Sequence, residues 1–181
     1  MMRMPHSVTD HTAVACPNLS SGINVPSGCA CLPGLNGTVI ATNSTPYYYS
    51  TCAHLPCPAN SSGANVFTGC TCVPGCSGTV TSTTTLPFYV STCSAVACPG
   101  NSTGSSLKTG CSCNAGFAGT VTATTTGPQY YSGGCVPVAC PLPSTVGSYA
   151  YLGCTCASGY AGSFSGASTV SPFYNNGCNC Q

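Results

Sequence analysis

Cysteine returns along this chain in sets of four at a nearly constant period, and no other feature limits the possible folds so tightly. The first cysteines of successive sets are Cys16, Cys57, Cys98 and Cys140, at steps of 41, 41 and 42 residues, and Cys180 follows 40 residues later. Set one is Cys16, Cys29, Cys31 and Cys52; set two is Cys57, Cys70, Cys72 and Cys93. Set three is Cys98, Cys111, Cys113 and Cys135; set four is Cys140, Cys154, Cys156 and Cys178. Within a set the intervening lengths are 12 or 13, then 1, then 20 or 21 residues, and 4 residues lead to the next set. Such a period signals an array of small units that contact mainly their neighbours. We therefore expect a partial or disordered N-terminal segment at 1–15 and repeats at 16–56, 57–97, 98–139 and 140–179. Residues 180–181 then read as the start of an incomplete fifth repeat. Cys76 and Cys180 stand outside the sets and are expected to be unpaired or intermolecular.

Composition narrows the function classes. The chain has 181 residues, 18 of them cysteine, and only Arg3, Lys108 and Asp10 carry a full charge. One acid cannot form a carboxylate pair for acid–base catalysis, and it cannot build a calcium cage. Two cations cannot build a nucleic-acid surface. We expect no enzyme, no cofactor and no nucleic-acid partner. Cysteine at about one residue in ten is the composition of a disulfide scaffold, which points to an extracellular or cell-surface location. No run of eighteen apolar residues exists, so no membrane span is expected. Residues 1–15 also lack the apolar core of a secretory signal, which we read as the mark of a fragment or processed piece. A formal net charge of +1 leaves little repulsion between copies and favours association.

The residues between the cysteines predict strands and turns. A Gly precedes each central Cys-x-Cys pair, and two more follow three residues apart, as at Gly75 and Gly78. That density suits positive-φ turns. Thr79, Thr81, Thr83 and Thr85 then alternate along the chain, as do Thr120, Thr122, Thr124 and Thr126. β-Branched residues at period two argue for a strand. A Pro follows (Pro46, Pro87, Pro128, Pro172), and an aromatic segment such as Phe88-Tyr89 leads back toward the last cysteine. Strand, turn and aromatic strand predict a hairpin, with arms of about eight residues and roughly 26 Å. No helical periodicity is sustained. The expected fold class is a small disulfide-rich all-β protein, a linear array of about four 41-residue hairpin repeats with almost no helix.

Gly69-Cys70-Thr71-Cys72-Val73-Pro74-Gly75-Cys76-Ser77-Gly78 and its counterparts resemble the C-terminal half of EGF-like modules. Gly116-Phe117-Ala118-Gly119 and Gly159-Tyr160-Ala161-Gly162 fit best, whereas Leu35 and Cys76 replace the aromatic in the first two sets. The sets depart from the family in having four cysteines rather than six. They are similar to the degenerate EGF-like or ephrin-receptor-like cysteine-rich tandem repeats of protist or algal extracellular proteins. The residues alone permit three pairings per set. The resemblance implies the bridges Cys16–Cys29, Cys31–Cys52, Cys57–Cys70, Cys72–Cys93, Cys98–Cys111, Cys113–Cys135, Cys140–Cys154 and Cys156–Cys178. It also implies a surface or fibril role.

Each candidate site competes with a plainer account. The Cys-x-Cys pairs suggest thiolate metal clusters, but structural zinc sites place two to four residues between paired cysteines, so no metal is expected. Asp10-His11, with His6, is too close to the chain end to be oriented as a nucleophile's base, and His54 lies in a short link between sets. Asn-x-Ser/Thr triplets at Asn18, Asn36, Asn43, Asn60 and Asn101 are candidate N-glycosylation sites. Asn60 and Asn101 each lie three residues after a first cysteine. The Thr rows suggest an ice-ordering face or O-linked sugars; a half-exposed strand accounts for them as well. The functional expectation is an extracellular structural glycoprotein forming a filament, flagellar hair or surface coat by self-association into a polymer. The alternative is an adhesin or receptor-ectodomain stalk that binds a protein or glycan.

Overall fold

The computed structural model describes residues 13–180. Among them the chain is nearly all β, with a single 3₁₀ turn at Ala150–Leu152 and no α-helix. All of its sheets are two-stranded and antiparallel where a register is defined. The described residues group into two compact units, one made of 13–71 and Thr79–Ser91, the other of Cys72–Gly78 and 92–180. No described helix is long and apolar enough to cross a membrane.

In the first unit, Ser20–Gly22 pairs with Cys29–Cys31, with Ser20 opposite Cys31. Leu35–Asn36 pairs with Ala53–His54, and Val39–Ala41 with Tyr48–Ser50. The hairpin Val80–Ser82 with Tyr89–Ser91 belongs to the same unit. In the second unit, Ser102–Ser106 pairs with Gly110–Cys113, and Thr145–Val146 with Thr155–Cys156. Phe117–Ala123 and Tyr131–Pro137 form one unbroken seven-residue ribbon. The corresponding stretch elsewhere is divided in two. Tyr160–Ala161 pairs with Asn179–Cys180, and Phe164–Ala167 pairs with Tyr174–Asn176 across a register shift.

Most hairpin arms are shorter than the alternating threonines predict. Val80–Ser82 is three residues long, because the threonines beyond it serve the turn. The Thr83 hydroxyl donates to the Thr85 carbonyl at 3.0 Å, and the Phe88 N–H donates to the same carbonyl at 2.6 Å. Thr42 and Thr124 use their hydroxyls in the same way, at 3.1 and 2.9 Å. Thr competes for backbone groups through its own hydroxyl, which ends the ladder early. Thr79, Thr81, Thr120 and Thr122 do present an exposed face, while Val80 and Val121 between them are half-buried. That alternation is the period-two pattern of a ribbon with one solvated side.

Each unit holds small apolar plugs in its interior. Val25, Val66, Leu107 and Ala150 are 6%, 3%, 3% and 1% exposed. Each lies four residues before the second cysteine of its set. Each also donates its N–H to the residue two before the first cysteine: Val25 to Val14, Val66 to Leu55, Leu107 to Val96 and Ala150 to Val138, at 2.8–2.9 Å. Burying one aliphatic side chain contributes about 2 kcal/mol, too little to order some forty residues. The disulfides make up part of that difference by restricting the unfolded chain.

Candidate assembly sites

The structure joins sixteen cysteines. In the first unit Cys16 is bonded to Cys29, Cys31 to Cys52 and Cys57 to Cys70, with Cα–Cα distances of 5.7, 5.5 and 5.8 Å. The second unit contains Cys72–Cys93, Cys98–Cys111 and Cys113–Cys135, at 5.5, 5.7 and 5.4 Å. It also contains Cys140–Cys154 and Cys156–Cys178, at 5.9 and 5.4 Å. Such separations are those of ordinary bridges. Eight disulfides fit a secreted or extracellular protein.

Two thiols remain, in opposite environments. Cys76 is 0% exposed and Cys180 is exposed. Cys76 occupies the position filled by Leu35 and Phe117 in the neighbouring sets, all three of them buried. Its sulfur therefore acts as a small apolar plug, out of reach of another chain. Cys180 lies opposite Tyr160 in the last strand pair. The same register pairs Leu35 with His54, Cys76 with Ala95 and Phe117 with Pro137. In register, then, Cys180 stands where His54, Ala95 and Pro137 stand. The Cys180 thiol, first by a hydrogen bond and then by its charge when ionised, holds the Tyr160 hydroxyl above its ordinary pKa; slight desolvation adds to this.

The sequons fall on turns and on one short strand. Asn18, Asn36 and Asn43 are exposed, Asn36 in the strand Leu35–Asn36. Asn60 and Asn101 have φ of 61° and 62°, a left-handed conformation that Asn tolerates better than most residues. The serine after each closes the turn: Ser61 and Ser102 donate their hydroxyls to the Pro58 and Pro99 carbonyls at 2.7 and 2.6 Å. Leu19 and Ser20 make the same turn, with φ of 66° at Leu19 and a Ser20 hydroxyl bond of 2.6 Å to Pro17. Backbone geometry thus gives Asn60 and Asn101 a reason to be Asn, whether or not a sugar is attached. His54 is exposed and its ring lies 5.6 Å from Phe67. His6, Asp10 and His11 lie outside the described residues.

One contact recurs, and the spacing of the residues did not announce it. Gly34, Gly75 and Gly116 are all buried. Each donates its N–H to a carbonyl in the hairpin of the following set: Gly34 to Thr83, Gly75 to Thr124 and Gly116 to Ser168, all at 3.0 Å. The first contact lies within the first unit and the other two within the second. A Cβ on Gly34 would come within 3.0 Å of the Phe67 nitrogen, on Gly75 within 2.6 Å of the Lys108 nitrogen, and on Gly116 within 2.8 Å of the Tyr151 nitrogen. A side chain would clash with that backbone at Gly75 and Gly116 and crowd it at Gly34. Phe117 and Tyr151 add ring contact at the third such place, with centroids 4.7 Å apart. The glycine pattern visible in the sequence marked these residues as turn formers; their role as seats for the next set depends on folded neighbours.

Beside two of these contacts lies a groove. In the first unit it measures about 290 Å³ and is lined by Cys29, Cys31, Leu35, Thr38, Thr84 and Phe88. Its counterpart in the second unit measures about 830 Å³, with Cys111, Cys113, Thr120, Val121, Thr169 and Phe173 among its walls. Both are walled by hydroxyls, disulfides, aliphatic side chains and one ring, without a charged group. No cluster of His, Cys, Asp and Glu suited to a metal ion occurs among the described residues. Compared with protein-family models, curated proteins and solved structures, the chain matches none.

Proposed function

We propose that this chain is an extracellular structural glycoprotein that forms a filament, flagellar hair or surface coat. In this reading it is a linear array of four EGF-like hairpin repeats at 16–56, 57–97, 98–139 and 140–179, stapled by disulfides. The observation that carries the reading is the thrice-repeated seat, in which a buried glycine and its apolar neighbour receive the hairpin of the next set. A contact that recurs from one set to the next is how an array gains length without a large core. The near absence of charge also supports it, since copies do not repel. Exposed apolar side chains point the same way: Ile40 and Tyr49, opposite each other in one hairpin, are 56% and 61% exposed. Sugars on Asn18, Asn36, Asn43, Asn60 and Asn101 would keep such a surface hydrated.

Electron microscopy of unreduced native material, with glycan mass spectrometry, tests the proposal. Regular polymers carrying N-linked sugars are expected; dispersed monomers without sugar would overturn it. The grooves favour a second reading, an adhesin or ectodomain stalk that binds a protein or glycan. That reading predicts monomers that retain a neutral oligosaccharide in equilibrium dialysis.

A further inference from the structure

We infer that the groove of the second unit is a binding site for a neutral saccharide. The inference rests on the second reading above and gives it a place and a ligand class.

The groove lies between the third cysteine set and the hairpin of the fourth, both within the second unit. The glycine seat creates it. The Gly116 N–H holds the Ser168 carbonyl at 3.0 Å, and the Ser168 N–H donates to the Phe173 carbonyl at 2.8 Å. Thr169 and Phe173 are thereby set beside the strand Phe117–Ala123. At about 830 Å³ the groove has the volume of a small-molecule site, where its counterpart in the first unit has about 290 Å³. One residue exchange separates the two chemically. Thr51, just before the last cysteine of set one, accepts the Thr38 N–H on its hydroxyl at 2.9 Å, and the two hydroxyls lie 3.5 Å apart. Gly134 holds that place in set three and has no hydroxyl, so Thr120, the counterpart of Thr38, keeps its own uncommitted.

Three kinds of group meet in the groove. Ser112, Asn114, Thr120, Thr122 and Thr169 are exposed along it, and their side chains make no hydrogen bond among the described residues. Phe173 is half-buried, and its ring meets no other ring among the described residues. Val121 supplies backbone groups. Antiparallel residues alternate between bonding the partner strand and facing away from it. The bonds Thr124 N–H to Tyr130 at 2.8 Å and Val138 N–H to Gly116 at 3.0 Å fix that phase, which turns the Val121 N–H and carbonyl to the open edge.

A neutral polyhydroxylated ligand suits this set. Hydroxyl and amide groups both donate to and accept from sugar hydroxyls. The negative face of an aromatic ring attracts sugar C–H groups. No charged side chain lines the groove to select an ion. An added β-strand suits it less, because strand addition needs a run of outward-facing pairs. Phe117 gives its N–H to Asn114 at 3.1 Å, and the Gly119 carbonyl lies 3.4 Å from the Cys113 sulfur. Val121 is the place left open within the groove.

Equilibrium dialysis of the unreduced chain against neutral hexasaccharides of glucose, mannose and N-acetylglucosamine, at millimolar concentration, tests this. Retention of at least one is expected. Thr122→Val with Thr169→Val removes two hydroxyls at exposed positions. Phe173→Leu removes the ring at a φ of 72°, close to the 66° that Leu19 already holds. Each change should weaken retention about tenfold, whereas Thr81→Val, at the matching place in set two, should leave it unchanged. Unchanged circular dichroism and thiol counts would show that the variants remain folded. Enzymatic removal of the chain's own N-linked sugars separates two sources of ligand. Greater retention afterwards means that a sugar of this protein occupied the groove, and equal retention means a ligand from outside; both support the site. If a saccharide is retained and the groove variants retain it equally well, the groove inference falls and the stalk reading stands. If no saccharide is retained, both fall, and retention of an uncharged peptide copying residues 79–91 instead would assign the groove to strand addition.

Discussion

The Gly75 N–H donates to the Thr124 carbonyl at 3.0 Å, tying a turn of the second cysteine set to the hairpin of the third. Two demands meet at Gly75: a φ of 75° and space for the Lys108 and Leu107 backbone. Gly75→Ala is therefore expected to cost about 3 kcal/mol, from left-handed strain and a backbone clash together. Gly69→Ala, at φ 109° with nothing near its Cβ position, meets only the strain. It should cost about 1 kcal/mol. Guanidinium unfolding with the disulfides intact measures both; equal costs would refute the packing role of Gly75.

Removing one bridge should be expensive. Replacing Cys72 and Cys93 together by Ala opens a link of sequence separation 21. The expected loss is about 3 kcal/mol in the chain-entropy picture. Calorimetry would show a lower Tm, and an unchanged Tm would mean that the bridge is dispensable.

Thiol accessibility separates the two unpaired cysteines. Cys180 should react with a small disulfide reagent in the native protein, whereas Cys76 should react only after unfolding. Counting fast and slow thiols checks this, and two fast thiols would contradict the burial of Cys76.

Tyr160 should titrate late. Its folded pKa is raised, chiefly by the hydrogen bond with Cys180, so the folded state favours the protonated phenol. The associated stability is present below the unfolded tyrosine pKa of about 10 and is lost as pH rises through the higher folded value. Ultraviolet titration should show Tyr160 as a late component, and Cys180→Ala should move it to lower pH; an unmoved transition would contradict the Cys180 contact.

Leu19 holds a left-handed conformation at φ 66° that Asn60 and Asn101 hold with less strain. Leu19→Asn, made in a host that does not glycosylate, should stabilise the first set by about 1 kcal/mol. Thermal unfolding measures it, and a loss of stability would mean that the Leu19 side chain makes a contact of greater worth than the strain.

The hairpins were readable from local pattern because alternation, proline and aromatic return are local signals. Their lengths were not, because Thr83 and Thr85 close the turn rather than extend the ladder. The buried plugs Val25, Val66 and Leu107 were visible as apolar residues at one fixed offset before the second cysteine. A single aliphatic residue among Ser, Thr and Gly has no periodicity of its own, so strand pattern does not mark these positions as core.

Composition and spacing by themselves determined that this chain is a cysteine-rich β protein without a charged site, because too few ionisable side chains exist to build one. Tertiary structure decided which of the possible partners each sulfur takes, that Cys76 is buried while Cys180 is exposed, and that Gly34, Gly75 and Gly116 seat the following set. The physical reason is range. A turn or a strand depends on residues a few positions apart, whereas a bridge or a seat exists only when segments distant in the chain have folded against each other.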